Sequence, residues 1–211
     1  MGDNSVNLAP AAEDAPFPLT ATDQWVLSQT DEEYAYHTWD GLRTIIQHND
    51  LAVLKRKPSD LRRYMKWTAA TKAEYGNMTK YLLAHRLPKA WGSPPFSPVS
   101  DTPFADPSDY CVLLNDWPYG FAPGITHIVV WTRTVIPTDP DTGDMTAESR
   151  KTVAEFVKRY FVDSLGGPGA AEDRVLWFKN WAALQSVRAL EHIHVLVKDV
   201  EPAVLQKWTT S

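Results

Sequence analysis

Apolar residues recur at helical spacing through the first part of the chain. Thr38 is a candidate N-cap, and the apolar positions that follow it are Trp39, Leu42, Ile45 and Ile46. A second helical pattern begins at Pro58 and continues through one or two helices to about Arg86. Because residues three and four positions apart share one face of a helix, this pattern predicts a helical region over residues 23–90.

The hydrophobic period changes from that of a helix to that of a strand beyond residue 107. Strand patterns cover residues 110–115, 126–135, 174–180 and 190–197. A helix with Thr146 as its candidate N-cap separates the first two strands from the last two. This order is typical of an α+β fold with an antiparallel sheet. The sequence therefore predicts an α+β core over residues 108–211, preceded by the helical region.

Two segments follow neither period. Residues 1–22 are rich in Ala, Pro and Asp, which indicates a disordered tail. Residues 91–107 are rich in proline and are interpreted as a linker between the helical region and the core. The N-terminus lacks the basic start and apolar centre of a secretory signal. No apolar run approaches the roughly 18 residues of a membrane span, so no membrane association is expected.

Composition narrows the function classes. A chain of 211 residues is long enough to bury one core, and its net charge of −5 gives no basic surface for nucleic acid. Its single cysteine, Cys111, lies in a strand pattern and is expected to be a buried small hydrophobe. One cysteine forms neither an internal disulfide nor a cysteine-based zinc site. We expect a cytoplasmic protein with no cofactor and no metal site.

Two histidines stand one residue apart in the strand pattern ALEHIHVLV. Because side chains alternate along a strand, His192 and His194 share one face with Leu190 and Leu196. Both faces of this strand carry apolar residues, which indicates a central strand. Three uses remain open for the pair: a zinc site completed by His127 or an acidic residue, a nucleophile with an orienting neighbour, or a hydrogen-bonded structural pair.

Other polar and aromatic residues also allow two interpretations. The basic residues of the helical region form either a solvated helix face or an edge that faces phosphate: Lys55, Arg56, Lys57, Arg62, Arg63 and Lys66. Arg133 is a further candidate cation. Tryptophans near the strand patterns stack on a base or sugar, or simply pack in the core: Trp117, Trp131, Trp177 and Trp181.

Two blocks of residues carry a resemblance to a known superfamily. The first block is Asn115, Pro118, Tyr119, Gly124 and His127, and the second is Asn180, Gln185, Ser186, Val187, His192 and His194. In this order they resemble the histidine-triad nucleotide hydrolases and transferases, with two extra residues between Gly124 and His127. The first triad position holds Leu190, and the segment before His192 is one residue longer than in that superfamily. Another placement of this gap puts Glu191 in the nucleophile position.

The resemblance implies a histidine-triad-like antiparallel sheet and a role for each matching residue. His192 would be the nucleophile that forms a nucleotidyl-histidine, and His194 the third member of the triad. The residues expected to bind the nucleotide or its phosphates are Asn115, His127, Asn180, Gln185 and Ser186.

A second resemblance covers residues 36–208. The stretches that carry it include HTWDGLRTIIQHNDLAVLKRKPSDLRRYMKW, LLNDWPYG, WFKNWAALQSV and EHIHVLV. They are similar to the fungal N-acetylglucosamine-induced protein family. We therefore expect a protein that binds a nucleotide or nucleotide sugar, as a nucleotidyl hydrolase or transferase linked to N-acetylglucosamine metabolism. The alternative is a non-catalytic regulatory or interaction protein on the same fold. Either is compatible with a homodimer.

Overall fold

The computed structural model describes residues 15–210 except 167, 168 and 170. This part of the chain contains six α-helices: α1 Ala21–Leu27, α2 Trp39–Gln47, α3 Pro58–Tyr75, α4 Met78–His85, α5 Ala147–Val157 and α6 Pro202–Thr209. It also contains four strands: β1 Tyr110–Leu114, β2 Ile125–Thr132, β3 Val175–Phe178 and β4 Glu191–Lys198. The predicted α+β class is confirmed. Among the helices described, none is long and apolar enough to cross a lipid bilayer.

The four strands form one antiparallel sheet in the order β1-β2-β4-β3. The strand with the two histidines, β4, lies between two neighbours, as its apolar character on both faces predicted. In the register between β2 and β4, Trp131 lies opposite His192 and Val129 opposite His194. Because paired residues of antiparallel strands project to the same face, Val129 and Trp131 lie on the same face as the histidine pair.

Side-chain caps explain where the helices begin. Thr38 accepts a hydrogen bond from the backbone N–H of Gly41, and Thr146 accepts one from Ser149, so both predicted N-caps are confirmed. Helix α1 begins within the predicted tail, because Thr20 and Asp23 form a reciprocal capping box there. Residues 1–14 of that predicted tail lie outside the described residues.

One face of the sheet, the closed face, is sealed by apolar side chains. Helices α5 and α6 and the π-helical segment Lys158–Val162 pack against it. The predicted linker takes part as well, because Phe104 is 1% exposed and stacks on Phe156 with ring centroids 4.4 Å apart. The buried carboxylate of Asp109 holds this segment by accepting the backbone N–H groups of Val99 and Ser100. Residues 91–107 therefore pack into the fold.

The opposite face, the helix-covered face, is covered by the helical region. Met78 and Leu82 of α4 pack in an apolar cluster with Trp131. Trp39 of α2 packs in a second apolar cluster with Leu196. The two histidines of β4 lie on the same face as Trp131 and Leu196, and neither apolar cluster includes them. The helical region over residues 23–90, which we call the helical roof, thus covers the face that carries the two histidines.

The helical region is also joined to the turn between β1 and β2. The Tyr34 hydroxyl donates to the backbone oxygen of Lys55 at 3.0 Å and lies 3.2 Å from that of Gly120. The backbone N–H of Gly120 donates to the same Lys55 oxygen at 2.8 Å. A Cβ atom at position 120 would collide with the Tyr34 ring, so only glycine fits there.

Candidate functional site

His192 and His194 project from β4 onto the helix-covered face, as the alternation of the strand predicted. They are 5% and 7% exposed, and their ring centroids lie 5.3 Å apart. The His192 ring packs on Trp131 at 4.5 Å, and Phe178 stacks on His194 at 4.8 Å. Neighbouring aromatic rings therefore fix the orientation of both imidazoles.

The hydrogen bond of His192 identifies which ring nitrogen carries its proton. Nδ1 lies 2.9 Å from the backbone oxygen of Leu190. A carbonyl oxygen only accepts, so Nδ1 donates and Nε2 keeps its lone pair. Burial lowers the pKa of His192 to about 4, so the ring is neutral near pH 7. Within the described residues Nε2 has no hydrogen-bond partner, which leaves this lone pair available to a ligand.

His194 and His127 form a buried chain of neutral rings. Nδ1 of His194 lies 2.9 Å from Nε2 of His127, and Nε2 of His194 lies 3.4 Å from the amide nitrogen of Asn180. An amide nitrogen only donates, so His194 accepts from Asn180 and donates to His127. Burial lowers the pKa of His127 to about 3 and that of His194 well below 6.5. Neither ring is therefore a proton donor of the imidazolium type near pH 7.

Asn115 lies at the end of β1 beside His127. Its amide nitrogen is 3.2 and 3.3 Å from the two ring nitrogens of His127. Its amide oxygen accepts the backbone N–H of Trp117 at 2.9 Å, which orders the turn that follows β1. Asn115 is thus brought to the histidines, as the sequence predicted, and is fixed there by its own turn.

The loop between β3 and β4 supplies the remaining predicted residues. Asn180 is 5% exposed, and its amide nitrogen also lies 3.3 Å from the Tyr119 hydroxyl. The Gln185 side chain donates to the backbone oxygen of Asn180 at 2.8 Å and so closes the first half of the loop. Ser186 is exposed to solvent at the wall of the cavity described next.

A cavity of about 520 Å³ lies between the helix-covered face, the helices α3 and α4, and the β3–β4 loop. This volume is in the range of small-molecule sites. His192 and His194 line it, whereas His127 does not and lies behind His194. Aromatic and cationic side chains share its wall: Tyr64, Trp67, Trp117, Tyr119, Trp131, Arg56, Lys72, Arg86 and Arg188. The cavity can therefore accept a ligand that combines a flat ring with negative charge.

Glu191 does not occupy the nucleophile position. It precedes His192 on β4 and therefore projects to the opposite face of the strand. Its carboxylate lies 3.2 Å from the ammonium group of Lys179, a side chain that is only 4% exposed. Sequence reasoning missed this ion pair. It joins the two ends of the loop of residues 180–190, which carries Asn180, Gln185 and Ser186.

The candidate cations differ in where they lie. Arg56 lines the cavity, whereas Arg133 binds the buried carboxylate of Asp109 at 2.6 Å. Lys57 lies 2.9 Å from Asp31 and is not part of the cavity wall. Sequence reasoning missed Lys72, Arg86 and Arg188 as members of this wall, because α3, α4 and the β3–β4 loop converge only in the fold.

The candidate tryptophans lie in three different environments. Trp117 and Trp131 line the cavity, whereas Trp177 packs against the core of the closed face. Trp181 packs with the second apolar cluster of the helix-covered face. Within the described ranges, no group of three His, Cys, Asp or Glu side chains is arranged to hold a metal ion.

Fold and site together define an α+β protein with buried neutral histidines at the wall of a ligand-sized cavity. The chain matches the family described as "Protein of unknown function (DUF3605)" over residues 38–198, and it belongs to that family.

Two related proteins and one solved structure extend the comparison. N-acetylglucosamine-induced protein 1 of Candida albicans is 31% identical over 181 residues, which span 78% of this chain and 69% of that protein. The uncharacterized protein YPL067C of Saccharomyces cerevisiae is 28% identical over 174 residues, which span 82% and 85% of the two chains. The crystal structure of HTC1 matches with a TM-score of 0.62 and 25% identity, over 83% of this chain and 94% of that one. The predicted relation to the fungal N-acetylglucosamine-induced proteins is confirmed.

Proposed function

We propose that this protein binds a nucleotide or nucleotide sugar in the cavity and acts on it as a histidine-triad-type nucleotidyl hydrolase or transferase. The observation that carries the proposal is the state of His192. Its Nδ1–H is held by the Leu190 carbonyl, its Nε2 lone pair is unengaged, and it lines a cavity of ligand size. A buried, neutral and oriented imidazole is the form that attacks phosphorus.

The proposed reaction uses the His192 ring, the backbone oxygen of Leu190 and one water molecule. Nε2 of His192 forms a bond to phosphorus, the bond to the leaving phosphate oxygen breaks, and its electron pair departs with that oxygen. The ring then carries a positive charge, which the Leu190 oxygen stabilises through Nδ1–H. Water then forms a new bond to phosphorus and the bond from phosphorus to Nε2 breaks, so the electron pair returns to the ring, the nucleoside monophosphate is released and the proton of the attacking water passes to solvent. A phosphate leaving group is stable as an anion, so this route requires no proton from His127 or His194.

The neighbouring polar groups have matching roles in this proposal. Ser186 lines the cavity with a neutral donor suited to a phosphoryl oxygen. The amide nitrogen of Asn180 instead donates to Tyr119 and His194 and so positions the histidine. Trp67 and Trp117, whose ring centroids are 5.1 Å apart, present aromatic surface for a base or a sugar ring. The Candida albicans relative is named for its induction by N-acetylglucosamine. Nucleotide sugars that carry this amino sugar are therefore the first ligands to test.

The test combines binding with detection of the covalent step. Calorimetry with nucleoside mono- and diphosphates and nucleotide sugars should show saturable binding, and turnover of one of them should fall by about a thousandfold or more in His192→Ala. Mass spectrometry of protein denatured without acid should show a nucleotidyl adduct in the wild-type chain and none in the variant. An absence of binding across the whole panel would overturn the proposal.

A non-catalytic binding protein on the same fold is the second candidate. The observation that favours it is Leu190, which stands at the first triad position and is 2% exposed in an apolar cluster. Because the leucine side chain cannot hydrogen-bond a phosphate or a neighbouring imidazole, it contributes packing alone. This candidate predicts that nucleotides bind with the same affinity to the wild-type protein and to His192→Gln, with no adduct and no turnover in either.

A further inference from the structure

Arg56 places a positive charge at the cavity wall without a carboxylate partner. Its guanidinium carbon lies 4.0 Å from the centre of the Tyr64 ring and 5.3 Å from that of Tyr119. One guanidinium nitrogen, Nη2, donates to the backbone oxygen of Trp117 at 3.1 Å. Nε is buried with no acceptor. The remaining donors of this rigid fork are suited to an anion in two-point contact.

Two cations whose side chains are the least exposed among the ion pairs of the described residues have carboxylate partners. Arg133, at 12% side-chain exposure, binds Asp109, and Lys179, at 4%, binds Glu191. Removing a cation from water without a counter-ion is costly, because the lost hydration is not replaced. Arg56 and Arg62 have no carboxylate partner among the described residues, and of these two only Arg56 lines the cavity. The missing counter-ion is therefore expected to come from a ligand.

Arg56 and His192 act at different positions along the site. The Arg56 guanidinium carbon lies 5.3 Å from the centre of the Tyr119 ring. The Tyr119 centroid in turn lies 6.4 Å from that of His194 and 5.6 Å from that of His127. Arg56 therefore lies toward the His194 end of the cavity. A ligand with a single phosphate group, bound at His192, therefore provides no acceptor for the guanidinium of Arg56.

We infer that Arg56 binds a second phosphate of the ligand, so that the substrate class is a diphosphate: a nucleoside diphosphate or a nucleotide joined through a diphosphate to another group. This inference rests on the proposed function and narrows it. The first phosphoryl group lies at Nε2 of His192, and the next, one bridging oxygen away, accepts hydrogen bonds from the guanidinium of Arg56. Arg56 belongs to the helical roof, so this region favours diphosphates over monophosphates.

Calorimetry on the full chain tests this with inorganic phosphate, pyrophosphate, and matched nucleoside mono- and diphosphates. The wild-type protein should bind each diphosphate at least about tenfold more tightly than its monophosphate, the effect of one or two charge-assisted hydrogen bonds. Arg56→Met should reduce this ratio to about twofold or less and leave monophosphate affinity nearly unchanged. Arg56→Lys keeps the charge without the fork and should give an intermediate ratio.

Arg62→Met is the matched control. Arg62 also has a buried Nε without an acceptor and donates through Nη2 to a backbone oxygen, that of Leu27, but it does not line the cavity. The ratio of diphosphate to monophosphate affinity in Arg62→Met should equal that of the wild-type protein. Circular dichroism should show that all variants are folded. Equal affinity for mono- and diphosphates in the wild-type protein would overturn the inference and leave the proposed function standing. An equal loss of affinity for mono- and diphosphates in Arg56→Met or Arg56→Lys would also overturn the inference. Failure of every nucleotide to bind would remove both.

Discussion

On the closed face of the sheet, Ile128, Val130 and Ile193 are fully buried among apolar side chains, and helices fill the space above them. On the helix-covered face, the same two central strands carry His127, His192 and His194, which are almost as deeply buried. The strands are shared, so neither backbone geometry nor depth distinguishes the faces. What differs is that three titratable rings and an open cavity occupy one face, where methyl groups and close packing occupy the other.

This difference separates stability from function within one sheet. Burial of apolar side chains stabilises the fold by about 25 cal/mol per Å² of surface removed from water. Burial of an imidazole contributes less and adds the requirement that its nitrogens find partners. Because the closed face provides the packing, the helix-covered face can keep polar groups in fixed positions. Changes on the closed face are therefore expected to act on stability, and changes on the helix-covered face are expected to act also on ligand binding and on the dependence of stability on pH.

The largest effect of a single substitution at pH 7 is expected on the closed face. Phe156 is 2% exposed and contacts Phe104, Tyr110 and Phe161. Phe156→Ala should lower the free energy of unfolding by about 3–5 kcal/mol, because the cavity it leaves cannot collapse. Urea denaturation measures this loss. Ligand affinity of the fraction that remains folded should stay unchanged, and a parallel loss of affinity would show that the two faces are not independent.

The next effect is a loss of stability in acid that originates on the helix-covered face. Burial holds the pKa of His192 at about 4 and that of His127 at about 3, below the ordinary value of 6.5. Between pH 6.5 and 4 the unfolded chain binds protons that the folded chain does not, so the free energy of unfolding falls as the pH falls. Each ring should cost on the order of 3 kcal/mol at about pH 4.5. Urea midpoints at several pH values measure it.

The control for the acid effect is the exposed residue His48. His48→Gln should leave the dependence of stability on pH unchanged, because this side chain lies outside the histidine cluster and is exposed. A wild-type midpoint that stays constant between pH 7 and 4.5 would contradict the deep burial of the three rings.

A smaller effect is expected when the histidine chain is broken. His194→Ala removes one hydrogen-bond partner from His127 and one from Asn180, and it should cost about 1–3 kcal/mol at pH 7 beyond the lost packing. Replacing both rings, as His127→Leu with His194→Leu, removes donor and acceptor together and should cost less than the single change. The double variant should also lose part of the acid sensitivity. A double variant less stable than His194→Ala at pH 7 would show that the pair itself stabilises the fold.

The smallest effect on stability is expected at the exposed rim of the site. Ser186→Ala should change the free energy of unfolding by less than about 0.5 kcal/mol, since the side chain is exposed. Under the proposed function it should nevertheless weaken phosphate binding severalfold through loss of one donor. Ser97→Ala, at an exposed serine away from the cavity, is the control for both measurements.

Local patterns in the sequence predicted most of the fold and part of the site. The period of two in ALEHIHVLV was sufficient to place His192 and His194 on one face, because alternation is a property of the strand itself. The capping positions Thr38 and Thr146 were also local signals. Helix α1 carries such a signal in Thr20 and Asp23, but the surrounding Ala- and Pro-rich composition favoured a tail.

Contacts between distant segments were beyond sequence reasoning. The bond between His127 and His194 depends on the register of β2 against β4, which no local pattern determines. Arg56 belonged to a basic cluster that read equally well as a solvated face, and only the packing of α3 over the sheet brings it to the cavity. The ion pair of Lys179 with Glu191 follows from the same long-range geometry.

The contact between Tyr34 and Gly120 bears on how the chain can be divided. The helical roof ends where the proline-rich segment begins, yet Tyr34 and Lys55 of the roof share hydrogen bonds with a glycine in the β1–β2 turn. The helical roof and the α+β core that follows it are therefore each incomplete without the other, because each buries part of the other's surface. Two polypeptides cut between residues 91 and 107 would be expected to recombine on mixing, as complementing fragments of one cooperative unit, rather than to fold as separate modules.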